Sequence, residues 1–353
     1  MRHHDFEIVV SDNSSPNHQV SNKVLVERHN MGERLRYVVP PEEYNMVRHW
    51  EFAVDQAKGK FVGFVTDRMT MTANALGLIE EVIAKTGATC VSHQTTKLHK
   101  LRRDLVKSRI DGSNDFRICD QKSELLNFSN AILGKDNPRF LNSFIAVEEL
   151  ARIRSKYGAV FAGISPDYNA MFKSLVVCRK IAHMRVPIKI IHSVAASQGV
   201  SLSTFANNQH TSDFLARLDH EQRAFAAIGP IPGEVHLLAN SILREYELVR
   251  IASQNNAMPP VNPKNFARVC LTQLASSPNK DNVAWTQSRD RLFGYMKEHS
   301  LAIPQVLQEK ADASLHKRMK ERLKALTGLT EKMTDAYSLD EMVTILKQFD
   351  DRH

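Results

Sequence analysis

The chain of 353 residues contains only four cysteines, and no two of them form a C-x-x-C pair. Cys90, Cys119, Cys178 and Cys270 therefore suggest neither a zinc site nor a disulfide framework, and a reducing, cytoplasmic setting is the default expectation. No apolar run approaches the roughly 18 residues that a membrane span needs. The opening MRHHDFEIVV shows no basic-then-apolar pattern ending in a small-residue cleavage site, so no secretory leader is visible. No G-x-G-x-x-G follows a strand, which argues against a dinucleotide dehydrogenase. Zinc-finger spacing and RNA-recognition aromatic strings are missing too. The net charge of +8 is thus the one feature that points to nucleic acid, and no nucleic-acid partner is expected.

What is present is ordinary material for a packed core: 42% hydrophobic and 24% charged residues. The length allows two units. The first two-thirds alternates strand-like and helix-like segments, the pattern of a largely parallel α/β sheet. Phe6–Ser11 reads as a short buried strand, and Leu35–Val39, Phe61–Val65, Ala88–Ser92 and Ile188–Val194 read as further strands. Residues 12–17 (DNSSPN) form a dense turn cluster. The helical spacing of Met46, Trp50, Ala53 and Ala57 predicts a helix from Asn45 to Lys58, stopped at Gly59. Further helices are expected over Thr72–Lys85, from about Ile145 to Tyr157, and from Ser165-Pro166-Asp167 to about Met184. Residues 97–142 read as polar and irregular, and from about 211 onward the pattern is almost all helix. Ser338-Leu-Asp-Glu341 has the form of a capping box.

Three strings together resemble family 2 glycosyltransferases: DFEIVVSDNSSPN at 5–17, HWEFAVDQAKGKFVGFVTDRM at 49–69, and KYGAVFAGISPDYNA at 156–170. The resemblance covers roughly residues 5 to 195. It implies a GT-A Rossmann-like α/β fold, with a mixed, mostly parallel sheet and flanking helices over 1–200. A mainly helical C-terminal region would fill 201–353. It also implies that the family's first strand and helix, which precede the DFEIVVSDNSS region, are missing from this sequence.

By the resemblance, Asp12, Asn13 and Ser14 would surround the nucleobase, with Asp12 accepting from a ring N–H. Asp12-Asn13 can equally form a simple Asx turn. Glu51 would face the nucleotide from its helix, while Trp50 next to it suits the core. Asp67 would hold the ribose–diphosphate, directly or through a divalent cation, Mn or Mg. The usual second acid of the family's Asp-x-Asp is Met69 here, a poor ligand for a hard cation, so a metal requirement does not follow. Arg68 between them could pair with phosphate oxygens in the metal's place, or be a solvated loop residue. Asp167 would be the catalytic base at the start of its helix, where a negative charge also suits the helix dipole.

The implied activity moves a sugar from a nucleoside diphosphate sugar, of UDP or dTDP type, to a hydroxyl of a glycan or lipid-linked acceptor. The product would belong to glycan or polysaccharide biosynthesis. The altered metal motif and the missing first strand equally suit an inactive remnant that at most binds nucleotide. Residues 315–326 (LHKRMKERLKAL) carry a basic amphipathic pattern. That pattern suits peripheral contact with the anionic inner face of a membrane, or a helix packed on the rest of the chain with a solvated basic face.

Overall fold

The computed structural model describes residues 5–29, 31–97, 109–134, 136–191, 216–233, 235–254, 258–277 and 282–302. The 315–326 pattern and the 338–341 capping box lie outside these residues.

The architecture is α/β, with a mixed sheet, flanking helices and a helical C-terminal part. The first unit is β1 (Ile8–Ser11), α1 (Pro16–Glu27) and β2 (Leu35–Val38). β1 and β2 pair in parallel as a two-stranded sheet, Ile8 opposite Leu35 and Ser11 opposite Val38. After α2 (Met46–Asp55) come β3 (Phe61–Gly63), β4 (Met69–Met71), α3 (Ala75–Thr86), β5 (Cys90–Lys97), β6 (Phe116–Ile118) and α4 (Gln121–Ser129). They are followed by β7 (Ser143–Ala146), α5 (Val147–Tyr157), α6 (Pro166–Val177) and β8 (Ile181–Ile191). The strands of this larger sheet run β3-β7-β5-β8-β4, with β6 also on β8. The long β5–β8 ladder at its centre is parallel and shifts register around Gln94. The shorter ladders β3–β7, β5–β7, β4–β8 and β6–β8 are antiparallel.

Alternate side chains of the central strands enter two cores, as a period of two requires. Val91, Ala182, Met184 and Ile188 pack under α3 with Leu78, Ile79 and Val82. Cys90, Ile145 and Ile181 face the other way, toward α4, α5 and α6. The C-terminal helices α7 (His220–Phe225), α8 (Leu238–Ser253), α9 (Pro263–Ser276) and α10 (Val283–Glu298) follow, and α8 to α10 join that second core through Leu243, Tyr246, Phe266 and Leu292. α6 lies between sheet and α8, and Phe172 stacks edge-on to both Phe128 and Tyr246.

Several expected boundaries move. α6 ends at Val177 instead of near Met184, because Gln121 donates from Nε2 to the carbonyls of Leu175 and Cys178 (both 2.9 Å) and so satisfies the helix end. Met184 is thus a strand residue, and β8 starts at Ile181 instead of Ile188. The segment before α5 is a strand, β7, whose four residues are all buried. The expected turn gives way to helix α1 at Pro16, and β6 and α4 occupy the stretch that reads as irregular. Among the described residues no helix is long and apolar enough to cross a membrane.

Candidate active site

The end of β1 is a hydrogen-bonded knot. Asp12 accepts from Ser14 N at Oδ1 (2.9 Å), and from Tyr37 Oη (2.6 Å) and Asn22 Nδ2 (2.9 Å) at Oδ2. Burial alone would raise this carboxyl, but the bonds from Ser14, Tyr37 and Asn22 outweigh it and hold it at about 2. Tyr37 moves the opposite way, to about 12, through burial and the negative Asp12 beside it. The Asx turn is therefore formed, by Asp12 and Ser14. Asn13 is fixed by a reciprocal pair, its Nδ2 donating to Tyr44 O (2.7 Å) and its Oδ1 accepting from Tyr44 N (3.0 Å). The Ser14 hydroxyl accepts from Asn22 Nδ2 at 3.4 Å. Asp12 and Ser14 thus share one turn, while the Asn13 side chain points to Tyr44.

Helix α2 connects this knot to the next part of the site. Near its start, His49 Nε2 meets Ser11 Oγ at 2.9 Å. The next residue, Trp50, packs with Phe64 and Phe161 (centroids 5.3 and 5.4 Å), and Phe140 joins both (5.1 and 4.7 Å). Trp50 is thus a packing residue. Glu51 accepts from Val160 N and Phe161 N (3.1 and 3.0 Å at Oε2) and from Arg154 Nε (2.8 Å). Its carboxylate holds the chain that leads to α6.

Asp67 and Arg68 are the middle residues of a tight turn after β3, closed by Met69 N–H to Thr66 O (3.0 Å). Asp67 projects into solvent with its side chain 91% exposed, and Arg68 Nε lies 3.9 Å from its Oδ1. Met69 stands in the β4 ladder opposite Ile191. A divalent cation needs several oxygen ligands. One exposed carboxylate, with a guanidinium and a thioether beside it, does not fit one. Among the described residues no group of three or more His, Cys, Asp or Glu side chains gathers as a metal site would require.

Asp167 lies in the first turn of α6, half-buried, after Pro166 at the first helical position. Burial raises its carboxyl, opposed by the Arg139 charge and by the backbone N–H groups of Asp167 and Tyr168. Arg139 Nη1 donates to Tyr168 Oη (3.3 Å), and its guanidinium lies 5.5 Å from the ring centre. Arg139 directly precedes the short 3-10 turn Phe140–Asn142. Buried Lys189 on β8 ties this turn to the end of β3, donating from Nζ to Phe64 O (2.6 Å) and Leu141 O (3.1 Å). Burial brings that amine down to about 7. The carbonyls it holds come three residues before Asp67 and two after Arg139, so one side chain mounts both loops.

Arg139, Tyr168 and Lys189 were not legible in the sequence. Each acts across a gap of 29 to 125 residues, and no local pattern announces them.

No protein-family model matches the chain. No curated protein matches it either. Among solved structures it is similar to TarS from S. aureus, at 12% identity and a TM-score of 0.41, over 82% of this chain and 48% of that one. The chain thus spans about half the length of TarS. The 1–349 fragment of TarS in complex with UDP-GlcNAc gives 13% identity and a TM-score of 0.40, over 85% of this chain and 84% of that one. The same fragment with UDP gives 12% and 0.39, over the same shares.

Proposed function

We propose that this chain transfers a sugar from a nucleoside diphosphate sugar, of UDP or dTDP type, to a hydroxyl of a glycan or lipid-linked acceptor, with inversion at the anomeric carbon. The observation that carries this reading is the setting of Asp167. Burial keeps the carboxyl basic, while Arg139 and the helix start favour its ionised form, the balance a general base needs. In a single displacement Asp167 takes the proton of the acceptor hydroxyl. The hydroxyl oxygen bonds to the anomeric carbon, and the bond to the diphosphate breaks with its electron pair leaving on phosphate oxygen. Arg68 at its exposed turn supplies charge for that oxygen, and Asp67 orients the ribose. Asp12, Asn13 and Ser14 form the nucleobase end. No step is routed through a cation. Residues 315–326 supply peripheral contact with the membrane face where lipid-linked acceptors lie.

The test is thermal unfolding with UDP, dTDP, GDP and ADP, each with and without manganese, together with turnover of Asp167→Asn. A pyrimidine diphosphate raises the midpoint. The variant keeps that shift and loses roughly 10²- to 10⁴-fold in kcat. A midpoint unmoved by every nucleotide refutes the reading. A shift without any wild-type turnover points instead to a remnant that binds nucleotide only, the reading that Met69 in the metal motif favours.

A further inference from the structure

The turn that carries the chain into α6 is built around a carboxyl from the C-terminal helical part. Glu245 on α8 is fully buried and accepts at Oε1 from the backbone N–H of Ile164 and of Ser165, both at 2.9 Å. Its Oε2 accepts from Asn169 Nδ2 at 3.0 Å. Gly163 makes this approach possible. Its φ is +73°, and a Cβ there would lie 1.9 Å from Glu245 Oε2. Two residues beyond Ser165 is Asp167.

The pocket has one polar atom left over. Asn169 is 2% exposed, and its Oδ1 is buried with no hydrogen-bond partner. That atom fits a second state of the same group. With a proton on Oε2, Glu245 becomes a donor there, and the Asn169 amide turned over presents Oδ1 to receive it. The Oε1 bonds to Ile164 and Ser165 persist in both states. We propose that Glu245 is a positioning residue for Asp167, a proton-linked latch. Uptake of one proton at Oε2 re-pairs Asn169 in the first turn of α6 and resets the carboxyl two residues before it.

The surroundings suit such a group. Burial raises Glu245 to about 7, against the bonds from Ser165, Ile164 and Asn169 and the charge of Arg244 on α8. From α6, Lys173 faces it, itself lowered to about 8 by burial and held up by Glu51 of α2 and by Glu245. Lys173 donates to Ala159 O and Val160 O, in the segment just before Gly163.

The inference rests on Asp167 being the reactive carboxyl, yet its test does not need turnover. Carboxyl carbons of the aspartates are labelled in the full chain, and the Asp167 signal is followed from pH 4 to 9. The wild type shows two inflections, its own and one near neutrality from Glu245. In Glu245→Gln the amide can donate to Asn169 Oδ1 at every pH, and the second inflection disappears. Asn169→Ser removes a bond that favours the charged carboxylate while leaving the backbone bonds intact, and moves the second inflection upward. It serves if the Gln variant does not fold. An Asp167 curve identical in wild type and variants overturns the latch. If the wild type titrates as expected but transfers no sugar from any donor, the transferase reading fails and the latch stands.

Discussion

Helices α1 and α6 begin alike and end in different worlds. Each has 12 residues, each follows a serine whose side chain makes no capping bond, and each has proline at its start. Yet α1 buries none of its side chains, and α6 buries nine. On α1, Val20, Val24 and Leu25 stand exposed, as does Ile8 on β1. On α6 even Asn169, Lys173 and Ser174 are inside. The opening signal is local, so it is the same in both. Burial is decided by neighbours: a two-stranded sheet on one side of α1, against a sheet and α8 around α6. The turn after β1 is therefore held chiefly by hydrogen bonds to Asp12, and the start of α6 by the core.

The contrast can be pressed by experiment. Phe172→Ala is expected to cost about 3–5 kcal/mol in urea unfolding, since it opens a cavity between Phe128 and Tyr246. The two aspartates Asp12 and Asp167 differ in sign. Asp12 sits at about 2 in the fold against 3.8 ordinarily, so its contribution is present above pH 3.8 and lost as pH falls through 2. That contribution is at most about 2 kcal/mol, and Asp12→Asn should flatten the acid limb of stability. Asp167 is raised, so what it adds is present below 3.8 and lost as pH rises through its folded value. Asp167→Asn should therefore stabilise the fold at neutral pH. The smallest effect belongs to Val24→Ala, expected within about 0.5 kcal/mol. A loss above 2 kcal/mol there would show that α1 is covered in solution and would end the contrast.

The candidate aspartates could be singled out in the sequence because they sit at element ends. Asp12, Asp67 and Asp167 each follow a strand or open a helix, where turn residues and helix-start signals mark the sequence. Elements buried on every side were harder. β7 (SFIA) has no alternation to show, since both its faces are covered. Between α6 and β8 stand only Cys178, Arg179 and Lys180, with no glycine or proline to mark the stop, and the helix end is satisfied by a glutamine side chain from α4. Glu245 reads as one more helical acid until the fold places it against Gly163.

Lys189 has a consequence of another kind. A neutral amine keeps two N–H groups, and its two carbonyl acceptors, Phe64 O and Leu141 O, match that number. Losing the third proton therefore breaks neither bond. With its amine brought down to about 7, Lys189 is a nucleophile sealed in the interior for a good part of the time near neutral pH, and the rate at which an amine-reactive reagent modifies it becomes a clock for the parting of the Phe64 and Leu141 segments from β8.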